Sequence, residues 1–123
     1  MSLSSILQWN IRGLRGNAEE LKVLLSEHDP GIFCLQETML NSISYNVGMN
    51  YKFYGSIPEA NNINRAKGGS AIIVKSNVSH DYIPLDTTLQ AVAVRVVLKK
   101  RYTICSLYLD PSSEVSYAYN LLY

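Results

Sequence analysis

Apolar and polar positions in this chain alternate between two kinds of short run. Residues 3 to 10 carry Ile6, Leu7 and Trp9, then stop on Asn10, Arg12 and Gly13, which reads as a strand and a turn. Asn17, with Glu20 three residues later, forms a capping-box-like helix start. Leu21, Leu24 and Leu25 then recur at helical spacing, and His28 closes the same face. Asp29-Pro30 ends the helix, because proline disfavours helical backbone in the residue before it. Residues 31 to 36 form the next strand, wholly apolar from Ile32 to Leu35. The order β-α-β predicts a parallel pair of buried strands with the helix as crossover. In such sheets functional groups gather outside the carboxyl ends of the strands. Asn10 and Glu37 stand at those ends. A carboxylate directly after a buried strand is costly unless it is solvated, paired or bound to metal, so Glu37 marks the place where a site would be built.

The rest of the chain reads mostly as strands. "YKFYG", residues 51 to 55, is short and alternating, and residues 56 to 69 form a polar loop without period. "GSAIIVK", residues 69 to 75, is a buried strand introduced by a glycine pair. "SHD", residues 79 to 81, falls between two middle strands, and His80 reads as a loop residue. Residues 89 to 98 and 102 to 109 make a hairpin around the tight turn "KKR". "PSSEVSYAYNLLY" begins like a helix, with Ser112 or Ser113 as its cap.

Composition narrows the class. A chain of 123 residues is one small domain or part of a larger one, and 47% hydrophobic residues with a net charge of +1 is globular composition. No apolar run approaches the roughly 18 residues that span a bilayer. "MSLSSILQW" lacks the basic stretch and cleavage site of a secretory signal, so the expected location is nuclear or cytoplasmic. Cys34 and Cys105 lie in apolar runs without a CxxC pair, and read as buried free thiols. Without a secretory route, "NVS" at residues 77 to 79 carries no weight as a glycosylation acceptor. Basic residues cluster locally: Arg12 with Arg15, Arg65 with Lys67, and Lys99, Lys100 and Arg101 together. Each cluster could meet phosphate, but taken alone each reads as a solvated turn.

"LQWNIRGL", "DPGIFCLQET", "KGGSAIIVK", "LQAVAVRV" and "YTICSLYLDPS" occur in that order. This series resembles the endonuclease/exonuclease/phosphatase superfamily, and its wording is nearest the N-terminal endonuclease domain of jockey-type non-LTR retrotransposon polyproteins. The resemblance implies an α/β fold: part of a four-layer α/β sandwich, with two mixed β-sheets face to face, outer helices, and the C-terminal part missing. It implies that Glu37 is the magnesium-binding glutamate. Asn10 would be the asparagine beside it that helps place metal or phosphate, and Tyr108 the tyrosine that reaches the scissile phosphate. Read without the resemblance, Asn10 is a strand-end turn former and Tyr108 a half-buried strand aromatic.

The implied cofactor is Mg²⁺ and the implied partner is the DNA phosphate backbone, with no membrane. The chemistry agrees, since Mg²⁺ takes hard oxygen ligands and is content with one or two protein carboxylates. The superfamily's later "GDFN"-type and "SDH"-type motifs are absent from this sequence, and Asp110 stands where jockey-type relatives often have proline. Residues 1 to 123 therefore read as the N-terminal portion of such a domain, truncated. The expected activity is Mg²⁺-dependent nicking of DNA for target-primed reverse transcription, lost in this span. The alternatives are a non-enzymatic retroelement remnant or a fragment of another phosphodiesterase or phosphatase of the superfamily.

Overall fold

A computed structural model describes residues 2–56, 68–87 and 89–109. The predicted β-α-β unit is present. Strand β1 (Ser2–Asn10) runs through a 3-10 turn at Arg15–Asn17 into helix α1 (Ala18–His28), which returns the chain to β2 (Pro30–Gln36). β1 and β2 pair in parallel, with Ile6 opposite Ile32 and Asn10 opposite Gln36. β3 (Tyr51–Gly55) and β4 (Ser70–Lys75) complete a mixed four-stranded sheet of order β1-β2-β4-β3. β5 (Ser79–Ile83), β6 (Gln90–Val97) and β7 (Arg101–Tyr108) form an antiparallel sheet of three strands. The expected helix after residue 112 and most of the loop from 56 to 69 lie outside the described residues.

Two cores share the middle of the first sheet. On one face Leu21 and Leu25 of α1 pack with Phe33, Leu35, Ala71 and Ile73. On the other, Ile32, Cys34, Ile72 and Val74 meet Val92, Val94 and Val96 of the second sheet. β2 is therefore buried on both faces, which is why its sequence is an unbroken apolar run. In β6 the valines at alternate positions face inward, the period-2 signature of a strand. α1 supplies one outer layer; no helix covers the outside of the second sheet among the described residues.

Four expectations need correction. β1 is not buried like β2. It is an edge strand, with Leu7 and Trp9 half-buried on the helix side and Ile6, Gln8 and Asn10 exposed on the other. The second sheet lies over β2 and β4 and leaves that face of β1 open. The sequence reading placed His80 in a loop, but it is in β5, opposite Val96. β5 escaped notice because its inward side chains are His80 and Tyr82, without aliphatic alternation. His80 packs edge-on against Tyr54, and Tyr82 stacks on the same ring. Cys105 is exposed, on the outer face of β7, while Cys34 is buried and its thiol is pushed up to about 11 by desolvation. Asn17 makes no side-chain cap to the helix. Its amide instead donates to Ile11 O at 2.9 Å and Gly13 O at 3.0 Å, which ties the loop after β1 to the helix start. His28 is exposed at the last turn.

The opposite end of the first sheet is held by Asp29. It takes a left-handed conformation (φ +42°) as the helix C-cap, and its N–H donates to Leu25 O at 2.9 Å. Its carboxylate accepts from Lys75 Nζ at 2.5 Å and from the Tyr51 hydroxyl at 3.1 Å. One side chain thus joins the helix end to the start of β3 and the end of β4. Lys75 and Tyr51 hold the Asp29 carboxyl below its ordinary value of 3.8, against a smaller opposing effect of burial. Burial, and then Asp29, push the Tyr51 hydroxyl up to about 12.

A carboxyl with a depressed folded-state pKa stabilises above its unfolded value, and that contribution disappears as pH falls through the folded value. Asp29→Asn should therefore lower the urea midpoint at pH 7, and the gap from the parent should close as acid protonates the carboxyl, at a pH below its ordinary 3.8. A gap that stayed constant over this range would show that Asp29 acts without its charge.

Candidate active site

Parallel pairing brings the ends of β1 and β2 together, and the ladder continues past both strands. Ile11 N–H donates to Gln36 O at 3.0 Å, Gly13 N–H to Glu37 O at 2.8 Å, and Leu14 N–H to Thr38 O at 2.9 Å. On its other side the same segment meets the residues before β4. Thr38 N–H donates to Gly69 O at 3.3 Å, and Met39 N–H to Gly68 O at 2.7 Å. Glu37 thus begins a short spine stitched to two neighbouring loops. Its side chain is half-exposed, while the next residue, Thr38, is 3% exposed.

Backbone strain concentrates here. Arg12, Glu37 and Met39 have φ of +53°, +54° and +54°, and Gly13, Gly68 and Gly69 are also positive. Left-handed backbone costs a non-glycine residue roughly 1–2 kcal/mol. It persists where surrounding hydrogen bonds over-determine it, and such residues cluster at functional sites. The strain turns the chain sharply at the sheet end and leaves Asn10 and Arg12 exposed beside Glu37.

The second sheet reaches the same place through the glycine pair. Tyr108, the last residue of β7, is half-buried and lies opposite Gln90. A Cβ on Gly68 would stand 2.9 Å from Tyr108 Cδ2 and Cε2, so the ring lies directly over that glycine. A Cβ on Gly69 would stand 2.6 Å from Thr38 Oγ1. Asn10 is thus opposite Gln36, the residue before Glu37, on one side of β2, and Tyr108 lies on Gly68 on the other.

Beneath these residues runs a polar seam between the sheets. Gln36 Nε2 donates to Ser106 Oγ at 3.1 Å, and Ser106 Oγ donates to Leu35 O at 2.9 Å. The Ser70 hydroxyl lies 2.9 Å from Gln90 O and 3.1 Å from Ser106 O, and Gly69 N–H donates to Gln90 Oε1. No buried polar side-chain atom among the described residues lacks a partner. The sequence reading did not single out Gln36, Ser70, Gln90 and Ser106 as site residues. The available signal was a polar residue at an inward position of an otherwise apolar strand.

Oxygen chemistry suits the exposed groups. Among the described residues no cation pairs with the Glu37 carboxylate, and Asn10, whose amide carries a second hard oxygen, is opposite the preceding residue, Gln36. No group of three or more His, Cys, Asp or Glu is assembled among the described residues. The Glu37 carboxylate and the Asn10 amide are donors of the kind that suit a hard cation with water completing its shell.

The histidines are elsewhere. His80 Nδ1 lies 2.7 Å from Val78 O, which can only accept, so Nδ1 carries the proton and Nε2 accepts from the Tyr54 hydroxyl at 2.8 Å. His80 is opposite Val96, at the far end of β6 from Gln90, a separation of about 20 Å at ~3.3 Å per residue. His28 and Asp29 sit at the start of β2, away from Glu37. Lys99, Lys100 and Arg101 form the exposed tip of the β6–β7 hairpin, again at the far end.

Gly69→Ala should cost roughly 1–3 kcal/mol in urea unfolding, from φ +93° and the contact with Thr38. Gly16→Ala, where nothing lies within 4 Å of a new Cβ, should cost little. Equal stability of the two variants would remove the glycine pair as a constraint.

The comparisons with known proteins bear on the fold and the family. A sequence model of the Endonuclease/Exonuclease/phosphatase family matches residues 7–120. The RNA-directed DNA polymerase from mobile element jockey of Drosophila melanogaster is 32% identical over 108 residues, covering 85% of this chain and 11% of that protein. Among solved structures, the endonuclease domain of TRAS1, a telomere-specific non-LTR retrotransposon, superposes with a TM-score of 0.74 at 16% identity. That match covers 95% of this chain and 51% of the other. AP endonuclease LMAP from Leishmania major gives 0.64 at 18% identity, covering 94% and 42%. An AP endonuclease from Archaeoglobus fulgidus gives 0.61 at 18%, covering 95% and 46%. These structural likenesses carry the fold, and this chain spans about half the length of the solved endonucleases it matches. A mixed sheet packed face to face with an antiparallel one fits the fold of these structures, and the sequence model covers most of the chain: the chain belongs to the endonuclease/exonuclease/phosphatase family.

Proposed function

We propose that this chain carries the metal- and phosphate-binding part of an Mg²⁺-dependent DNA endonuclease domain of a jockey-type non-LTR retroelement. In the complete domain the reaction is nicking of DNA that primes reverse transcription. The observation that carries the reading is that Asn10 and Glu37 stand at the adjacent carboxyl ends of β1 and β2, while the Tyr108 ring lies on Gly68, whose oxygen accepts from Met39 just after Glu37. The jockey and TRAS1 relatives support the retroelement assignment. A DNA substrate sets the work in the nucleus or cytoplasm, and no helix among the described residues is long and apolar enough to cross a membrane.

Each residue has a role that its position permits. The Glu37 carboxylate would hold the cation, and the Asn10 amide would orient that carboxylate or add an oxygen to the shell. The Tyr108 hydroxyl would donate to a phosphate oxygen as negative charge develops on it. Arg12 and Arg15, both exposed beside the β1 end, are placed to meet backbone phosphates. Bound Mg²⁺ supplies Lewis-acid polarisation of the phosphate and stabilises the leaving oxygen.

Proton transfer is what this span lacks. The only histidines in the sequence are His28 and His80, and neither is near Glu37. General base catalysis is worth about 10²- to 10⁴-fold. Poor placement of the phosphate by about 1 Å costs a further factor of roughly 10². We therefore propose that the 123-residue chain binds but does not cleave.

A supercoiled-plasmid nicking assay with Mg²⁺ tests this directly, run beside Glu37→Ala. The purified 123-residue chain should nick no faster than the mutant. Robust nicking by the parent that disappears in Glu37→Ala would confirm the metal role and refute the inactivity. Robust nicking by both would remove Glu37 from the site.

A further inference from the structure

We propose that Gln90 is a positioning residue for this site. By accepting the Gly69 N–H, its side-chain carbonyl fixes Gly68 and Gly69 between Tyr108 and the segment that carries Glu37. The inference deepens the endonuclease reading and rests on it for its functional meaning.

Gln90 opens the inward row of β6, ahead of Val92, Val94 and Val96. A polar residue facing a sandwich core needs partners, and this one has them in both sheets. Its backbone pairs with Tyr108, its carbonyl oxygen accepts from the Ser70 hydroxyl at 2.9 Å, and its Oε1 accepts from Gly69 N–H. Gly69 is buried, and Gln90 Oε1 is the acceptor for its N–H among the described residues. The space where Gly68 would carry a Cβ is filled by Gln90 Oε1 and the Tyr108 ring side by side. The oxygens of Gly68 and Gly69 in turn receive Met39 N–H and Thr38 N–H, and Thr38 directly follows Glu37. A continuous chain of contacts therefore runs from Tyr108 through the glycine pair to the Glu37 segment, and the Gln90 amide sits at its centre. Without that acceptor a buried N–H is left unpaired, and the glycine pair moves to find another.

The test uses the ¹⁵N-labelled 123-residue chain and reads three things. They are hydrogen exchange at Gly69, Thr38 and Met39, the nuclear Overhauser effect between Gly68 Hα and the Tyr108 ring, and Mn²⁺ affinity at Glu37. Gln90→Ala should speed exchange at those three amides by about tenfold relative to the β2–β4 ladder. It should also weaken the Gly68–Tyr108 effect and reduce Mn²⁺ affinity by about tenfold. Gln90→Glu, which keeps an accepting oxygen, should retain slow exchange and the Gly68–Tyr108 effect at neutral pH. Gln90→Met, which keeps the stem without the acceptor, should behave as Gln90→Ala does and serves if that variant fails to fold. Val94→Ala should destabilise the core without this selective pattern. Exchange in Gln90→Ala and Gln90→Met that rises only in step with the rest of the ladder would overturn the proposal. Absence of Mn²⁺ binding in the parent would count against the endonuclease reading, while the exchange pattern still decides the role of Gln90.

Discussion

Everything at the functional end depends on how one buried turn of backbone satisfies its hydrogen bonds. Gly68 and Gly69 lie between the two sheets, where a backbone group without a partner would be costly. Their oxygens accept from the segment after Glu37, and the Gly69 N–H donates to Gln90. Any side chain at either position would collide with Thr38, Gln90 or Tyr108. The first sheet, the second sheet and the Glu37 spine are therefore fixed to one another at this point, although they come from distant parts of the chain. Strained backbone at Arg12, Glu37 and Met39 is sustained by the same set of bonds.

The two ends of the first sheet differ in kind. At one, Asp29, Lys75 and Tyr51 form a compact charged knot whose groups satisfy each other. That is a structural device: Lys75 and Tyr51 converge on one carboxylate oxygen, and the lysine neutralises the charge. At the other, Glu37 is half-exposed and has no cationic partner among the described residues. The same residue chemistry thus serves stability at one end and remains available for ligand at the other.

Much of this was legible from residue order, and the failures have physical causes. The β-α-β unit announced itself through helical spacing of Leu21, Leu24 and Leu25 between two apolar runs, and the Asp29-Pro30 stop set the helix end. Glu37 stood out because a charge after a buried strand demands explanation. β5 stayed hidden because an aromatic pair, not aliphatic alternation, fills its inner face. The open face of β1 and the exposure of Cys105 could not be read locally, since apolar letters do not say whether a neighbouring layer covers them. Gln90 showed only as a polar residue on the inward row of β6, and its role stayed hidden because its partner is a backbone N–H brought close by the crossing of two sheets.

The central claim is that the end of β2 is a divalent-cation site built on Glu37. Paramagnetic broadening by trace Mn²⁺ in the ¹⁵N-labelled chain tests it most directly, because it locates the ion without requiring turnover. The account predicts that broadening begins at the amides around Asn10 and Glu37, extends to Gly68, Gly69 and Tyr108, and is abolished by Glu37→Gln. Broadening centred instead on the exposed carboxylates Glu19, Glu20, Asp81 or Asp86, or unchanged by that substitution, would contradict it.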